Sequence, residues 1–182
     1  GACIDSYGVG DAIATSKANP CFGNVFKLVQ IDGTPVLKRS EDKIKLINPG
    51  FQVTWRIFCD DPEKGEIYKI DVTCLRGDDT DKLISAREEV TIYNEFDRYK
   101  YKTFEKDCYN AYTLQQLVIE NGVRIAPKHT LQEKKEYYNN ALMHLSPSER
   151  RLINPHYYKV DISDELAPLK DEIINKLVRE IK

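Results

Sequence analysis

Val53-Thr54-Trp55-Arg56-Ile57 and then Glu66-Ile67-Tyr68-Lys69-Ile70-Asp71-Val72-Thr73-Cys74-Leu75 are the stretches that decide the fold. In the first, Val53, Trp55 and Ile57 alternate with Thr54 and Arg56. In the second, Tyr68, Ile70, Val72 and Cys74 alternate with Lys69, Asp71 and Thr73. A period of two places one set on a buried face and the other toward solvent, the pattern of half-buried strands. Gly77-Asp78-Asp79 ends the second strand. The middle of the chain is therefore β, and Val90 to Tyr93 adds a short strand.

Turn signals extend this β region on both sides. Val25 to Val29 and Val36 to Lys38 flank Asp32-Gly33, a pair that tolerates the positive φ of a tight hairpin turn. Asn48-Pro49-Gly50 is another turn. Leu114 to Ile119 and Val123 to Ile125 flank Asn121-Gly122, the clearest hairpin signal in the chain. The character changes after Pro127. Thr130-Leu131-Gln132-Glu133 has the form of a capping box, and Leu131, Tyr138, Leu142 and Leu145 follow on one helical face until Ser146-Pro147. A second helix runs from about Asp164 to the end, with Leu166, Leu169, Ile173, Leu177 and Ile181 on one face and Pro168 in its first turn. Strands first and helices last predict an α+β chain, β-rich with C-terminal helices.

Composition bounds the function. The 182 residues are 41% hydrophobic and 31% charged, a balance that suits a packed core rather than a disordered chain. No apolar run reaches the ~18–20 residues of a membrane-spanning helix, and membrane partners are not expected. A net charge of −2 supplies no global basic field for nucleic acid. The five cysteines, Cys3, Cys21, Cys59, Cys74 and Cys108, are odd in number and scattered. That spacing suits neither a disulfide framework nor a zinc site, and it predicts reduced thiols in the cytoplasm. The three histidines, His129, His144 and His156, have no metal-like spacing and are read as surface or packing residues. Tyr93, Tyr99, Tyr101, Tyr109 and Tyr112 interleave with Arg98, Lys100, Lys102 and Lys106. This is either a stacking surface for single-stranded nucleic acid or an edge strand with snorkelling lysines. The overall charge favours the edge strand, and no nucleic-acid partner is expected.

The N-terminal residues carry the one local element with a chemical reason. Ala2 to Tyr7 reads as a strand that the sequence enters without a polar lead-in, as a fragment or a trimmed start would. Gly8-Val9-Gly10-Asp11 follows it. Two glycines allow close backbone approach, and their N–H groups can hold a phosphate. Taken alone, such a motif is more often a plain turn.

Ile4-Asp5-Ser6-Tyr7-Gly8-Val9-Gly10 resembles the last barrel strand of the nicotinate phosphoribosyltransferase family. Asn19-Pro20-Cys21-Phe22-Gly23-Asn24-Val25-Phe26-Lys27-Leu28-Val29 is similar to a further stretch of that family, and it favours the nicotinate over the nicotinamide type. So is the run from Gly33-Thr34-Pro35 through Lys38-Arg39-Ser40-Glu41 to Asn48-Pro49-Gly50. Leu145-Ser146-Pro147-Ser148-Glu149-Arg150-Arg151-Leu152 and Tyr158-Lys159-Val160-Asp161-Ile162-Ser163-Asp164-Glu165-Leu166 resemble its closing segment. The matches keep their order from one end of the chain to the other.

The resemblance implies a C-terminal portion of an irregular α/β-barrel, type II phosphoribosyltransferase. Residues 1–18 would be the last barrel strand and its phosphate loop, and residues 19–182 a β-rich segment with two terminal helices. Such an enzyme joins nicotinate to 5-phosphoribosyl-1-pyrophosphate with ATP and Mg²⁺, giving nicotinate mononucleotide and pyrophosphate in NAD salvage. The ribose 5′-phosphate would sit at Gly8, Val9, Gly10 and Asp11, on backbone donors of Gly10 and Asp11, with Gly8 permitting the turn. Asp11 stands where many members have Thr, and a carboxylate beside a phosphate is repulsive unless it turns away or meets a cation. No catalytic residue and no metal ligand is expected in this chain, which alone should be inactive. The implied partners are the upstream half of the enzyme, in the same or in a separate chain, and a second copy in a homodimer. The competing expectation is a non-catalytic β-rich scaffold or dimerisation module.

Overall fold

The computed structural model describes residues 3, 5–6, 26–38, 47–63 and 65–180. The expected strand Ala2–Tyr7 and the glycine loop Gly8–Asp11 lie outside the described residues, apart from Cys3, Asp5 and Ser6, which are exposed and in no element.

The first hairpin is short. Strands β1 (Gln30–Ile31) and β2 (Thr34–Pro35) pair antiparallel around Asp32 and Gly33. Both turn residues have positive φ, 46° and 78°, as a type I′ turn requires. The turn is where the sequence places it, but the strands are not. The described residues of Val25–Val29, and all of Val36–Lys38, lie outside the ladder. They are tied by single bonds, the Val36 and Gly50 N–H groups both donating to the Val29 carbonyl.

Strands β3 (Gln52–Asp61) and β4 (Gly65–Leu75) form the centre of a six-stranded sheet. Their antiparallel register runs from Gln52↔Leu75 to Ile57↔Ile70 and then shifts to Phe58↔Tyr68. Lys69 is the extra residue of this bulge, so Tyr68 returns to the face of Arg56 and Asp71. Helix α1 (Asp79–Ser85) follows β4 and was not expected from the sequence. Asp78 is its N-cap, the carboxylate accepting from the Asp81 N–H at 2.7 Å. Strands β5 (Val90–Tyr93), β6 (Tyr101–Phe104) and β7 (Asn110–Thr113) complete the contiguous part of the sheet.

Residues 114–157 leave the sheet as an arm. It carries the small hairpin β8 (Ile119–Glu120) and β9 (Val123–Arg124), turned at Asn121 and Gly122 with φ of 49° and 78°. The expected longer strand Leu114–Ile119 is not formed beyond this two-residue ladder. Helix α2 (Leu131–Met143) then begins with the expected capping box of Thr130 and Glu133. The chain returns through β10 (Val160–Ile162), another element the sequence did not announce. It inserts between β5 and β4, parallel to β4 and antiparallel to β5, giving the order β6-β5-β10-β4-β3-β7. Helix α3 (Leu166–Glu180) closes the described residues, with Pro168 in its first turn.

One face of the sheet packs the main core. Ile57, Ile70, Val72, Val90 and Ile92 meet Ile84 of α1, with Phe104 and Tyr109 closing the edge. A smaller cluster of Ile162, Leu166 and Ala167, with Leu75 against it, seats the start of α3. Each buried aliphatic side chain contributes about 1.5–3 kcal/mol of transfer free energy. The α+β class expected from the sequence therefore holds.

The tyrosine–lysine stretch resolves into an edge. β6 ends the sheet, and the Lys102 Nζ lies 4.5 Å from the centre of the Phe104 ring, its stem lying along apolar surface. Tyr109 is instead a core residue whose hydroxyl donates to the Glu88 carbonyl at 2.8 Å. Tyr112 stands on β7, at the opposite edge.

Candidate functional site

Gly8, Val9, Gly10 and Asp11 lie outside the described residues, so the expected phosphate loop has no geometry here. Two described polar clusters are made by β3 and β4 and the elements that return to them.

The first lies on the sheet face away from the main core. β3 and β4 place Arg56 opposite Asp71. The Arg56 Nε and Nη2 groups donate to the two Asp71 carboxylate oxygens, each at 2.8 Å. Asp71 is 6% exposed, so this is a bidentate ion pair largely removed from water. The Tyr158 hydroxyl donates to the same carboxylate at 2.9 Å. The guanidinium carbon lies 4.5 Å from the Tyr68 ring centre and 5.6 Å from that of Tyr158, a cation held between aromatic faces. The Tyr112 hydroxyl donates to the Tyr68 hydroxyl at 3.2 Å. His144, at the end of α2, stacks on Tyr68 at 5.0 Å and its Nδ1–H donates to the Glu66 carbonyl at 2.8 Å.

Electrostatics makes this cluster a clamp rather than an acid–base pair. The hydrogen bond that it donates to Asp71 holds the Arg56 guanidinium protonated well above its ordinary value. Burial, followed by the Asp71 charge, pushes the Tyr158 phenol up. Burial and the bond to Tyr68 push Tyr112 up to about 12. Neither phenol ionises near neutral pH, and the Arg56 fork is occupied. What the cluster does is bind Tyr158, and with it β10, to the centre of the sheet. Sequence reading placed Arg56 and Asp71 on a solvent face; the signal it passed over was their opposite charge at matching positions of adjacent strands.

The second cluster sits where β4 meets α1. Asp78 accepts from the Leu75 N–H at 2.9 Å and from the Ser163 hydroxyl at 3.3 Å, besides capping α1. Burial raises its carboxyl above the usual range against these donors. The Asp81 carboxylate accepts from the Trp55 Nε1–H and the Gly77 N–H, both at 2.7 Å. The Thr80 hydroxyl donates to Glu165 at 2.8 Å. These bonds join β3, β4, α1 and the entry of α3, and they tie Asp78 and Asp81 to internal donors. Cys74 lies beside them, its thiol pushed up by burial.

Of the three histidines, His144 is the packing residue just described, while His129 and His156 are exposed on the arm. Cys3, Cys59, Cys74 and Cys108 are free thiols. Between the β8–β9 hairpin and α2 lies an open groove of about 660 Å³, lined by Leu114, Val118, Pro127 and Tyr137 with His129, Glu133 and Lys134 among the polar residues.

Comparison with known proteins places these features in a family. A model described as the nicotinate phosphoribosyltransferase C-terminal domain matches residues 51–170. The nicotinate phosphoribosyltransferase of Bos taurus is 28% identical over 173 residues, covering 95% of this chain and 30% of its own length. That of Dictyostelium discoideum is 26% identical over 90% of this chain and 27% of its own length. For Bacillus subtilis the figures are 25% identity, 100% of this chain and 36% of the relative. The chain thus spans about a third or less of these relatives. The crystal structure of human nicotinic acid phosphoribosyltransferase shares the fold, with a TM-score of 0.61 and 21% identity over 82% of this chain and 26% of that one.

Proposed function

Because this chain belongs to the family of nicotinate phosphoribosyltransferase C-terminal domains, we propose that it works as the C-terminal portion of such an enzyme. The reaction joins nicotinate to 5-phosphoribosyl-1-pyrophosphate, releases pyrophosphate and consumes ATP, in the salvage route to NAD. The observation that carries the reading is the family match across the sheet and its returning strand, the elements bound together by Arg56, Asp71 and Tyr158.

Loss of pyrophosphate leaves positive charge developing at the ribose carbon, so catalysis is chiefly positioning and charge stabilisation. In this proposal the backbone N–H groups of Gly10 and Asp11 hold the 5′-phosphate, with Gly8 and Val9 shaping the turn. Residues 1–18 then belong to the barrel and residues 19–182 to the β-rich segment. The groups that activate ATP and bind pyrophosphate come from the upstream half. Asp71, Asp78 and Asp81 each accept two or more internal hydrogen bonds, which fits a supporting rather than a catalytic role. Mg²⁺ accompanies the reaction in this reading. The described residues contain no grouping of three His, Cys, Asp or Glu side chains that fits such an ion, so no step is assigned to it here. The working enzyme is a cytoplasmic homodimer in the same proposal.

The test is nicotinate mononucleotide formation from nicotinate, phosphoribosyl pyrophosphate, ATP and Mg²⁺. It is run on the complete translation product that contains this sequence and on the 182-residue chain. Product from the first and none from the second is expected. No product from the complete translation product at saturating substrates overturns the reading.

A further inference from the structure

Cys59 and Cys108 stand 49 residues apart in sequence and side by side in the fold. Cys59 lies on β3, and the last rung that β3 makes with β7 is Phe58↔Asn110. One step further along both strands sets Cys59 across from Tyr109, with Cys108 next to it. The Cys59 thiol donates to the Cys108 carbonyl at 3.6 Å. Cα atoms facing each other across such a ladder are about 4.5–5.5 Å apart, and a position one residue along is about 6 Å away. A disulfide spans Cα separations of about 4.4–6.8 Å. In a regular strand Cys108 would point to the opposite sheet face from Cys59. The turn before β7 releases it from that alternation. There Asp107 has a φ of 56°, and the Cys108 N–H donates to the Glu105 carbonyl at 3.2 Å. Arg87 fixes the turn, its Nε donating to the Tyr109 carbonyl at 2.9 Å and its Nη2 to the Asp107 carbonyl at 3.3 Å.

We propose that Cys59 and Cys108 are a site of reversible oxidative modification, closed to a disulfide by a hydroperoxide. Accessibility sets the order of events. Cys108 is exposed, and its thiol donates to the Glu105 carboxylate at 3.9 Å, an acceptor for its proton. Its sulfur attacks the peroxide O–O bond, giving a sulfenic acid and releasing the other peroxide oxygen as water or alcohol. The half-buried Cys59 sulfur then attacks the sulfenic sulfur, and the sulfenic oxygen leaves as water. Two thiols thus lose two electrons, the peroxide takes them, and both sulfur protons leave in the products. The second step requires the Cys108 side chain to rotate away from Glu105. Cys74 is the contrast. It is buried, its thiol donates to the Val53 carbonyl inside the sheet, and burial pushes that thiol up, which closes it to the oxidant. The new bond staples β3 to the turn that precedes β7, beside the core residue Tyr109. Nothing in this step depends on the phosphoribosyl chemistry.

The test titrates hydrogen peroxide against the complete translation product that contains this sequence, followed by tryptic mapping without reductant. Peptides 57–64 and 107–124 carry the two thiols. They should appear joined in at least about tenfold excess over every other cysteine pairing, as two groups held in place react. Dithiothreitol should part them. In Cys59→Ser the sulfenic acid on Cys108 should persist and be trapped by dimedone. Cys108→Ser changes an exposed position and leaves the core alone, and there Cys59 should stay reduced at peroxide levels that join the pair in wild type. Thiols at both positions that remain fully open to alkylation after peroxide overturn the proposal. So does Cys108 joined mainly to another cysteine, or Cys59 oxidised as fast in Cys108→Ser as in wild type. An equal share of the joined peptides after oxidation in concentrated urea also overturns it, since the pairing then owes nothing to the fold.

Discussion

Arg56 and Asp71 show how much one pair can decide. Removing the Asp71 carboxylate leaves a guanidinium facing Tyr68 and Tyr158 with no counter-charge, and a buried charge stripped of its partner costs about 3–5 kcal/mol. Asp71→Ala should therefore lower unfolding free energy by about 3 kcal/mol in urea. The apolar pair Arg56→Met with Asp71→Leu should recover most of it, because both charges leave together. A loss for Asp71→Ala below about 1 kcal/mol would place the pair among exposed ion pairs instead. Asp161 carries the opposite lesson. It is buried on β10, where desolvation raises its carboxyl against the Asn94 amide, which donates at 3.2 Å, and against the charge of Lys159. A carboxyl raised in the folded state binds its proton more tightly there than in the unfolded chain. Its contribution to stability is then greatest at low pH and falls as pH climbs from the ordinary 3.8 through the raised value. Asp161→Asn keeps an oxygen for Asn94 and removes the charge. Its stability relative to wild type should improve across that window, and parallel pH profiles for the two proteins would contradict the assignment.

At the scale of elements, α2 differs from every other described helix. α1 buries Ile84 and α3 buries Leu166, but α2 buries nothing. Its start is fixed locally, by the Thr130 N–H donating to Glu133 at 2.6 Å and the Glu133 N–H donating back to the Thr130 hydroxyl at 3.2 Å. Thr130→Ala should cost the helix about 1 kcal/mol. Helical circular dichroism should fall while the urea midpoint of the sheet stays in place, and a shift of that midpoint would show the arm to be part of the cooperative core. The same contrast explains what was legible in the sequence. β3 and β4 were readable because Val53, Ile57, Ile70 and Val72 repeat with a period of two and are in fact buried. The turns at Asp32-Gly33 and Asn121-Gly122 were readable because their φ demands are local. The strands beside them were not, since pairing length depends on neighbours that sequence does not display. α1 is short, and its cap, Asp78, looked like a strand terminator. β10 has three residues, of which Asp161 argues against a buried strand. Leu131, Tyr138, Leu142 and Leu145 were legible as one helical face, but sequence does not display what that face meets, and Leu131 and Tyr138 are exposed. Of the candidate site, Gly8 to Asp11 were legible as a motif and a resemblance, while the Arg56 and Asp78 clusters were not, because Tyr158, Ser163 and Glu165 reach them from more than 80 residues away.

For the whole molecule, stability is divided unevenly. The sheet with α1 and the start of α3 holds the two described core clusters, and residues 114–157 hold no buried side chain. Brief proteolysis of the isolated chain should therefore cut between residues 114 and 157 first. The pieces should remain associated through β4 and β10, as native mass spectrometry would show. First cuts within β3 or β4 would mean that the sheet is the weaker part.

The position of β10 has a consequence for how the protein is made. Among the described strands, the ladders of the β3–β4–β7 half of the sheet and of the β5–β6 half meet only through β10. A chain emerging from the ribosome can pair each half early, but it cannot join them until Val160 to Ile162 have left the exit tunnel. Folding then waits on a strand far from its partners in sequence, the slow kind of closure. The open edges of β4 and β5 stay exposed to other nascent chains for most of synthesis. A stop codon shortly before Val160 would take away β10 and α3, and it would leave two half-sheets that share the core around Ile84 but have no strand between them.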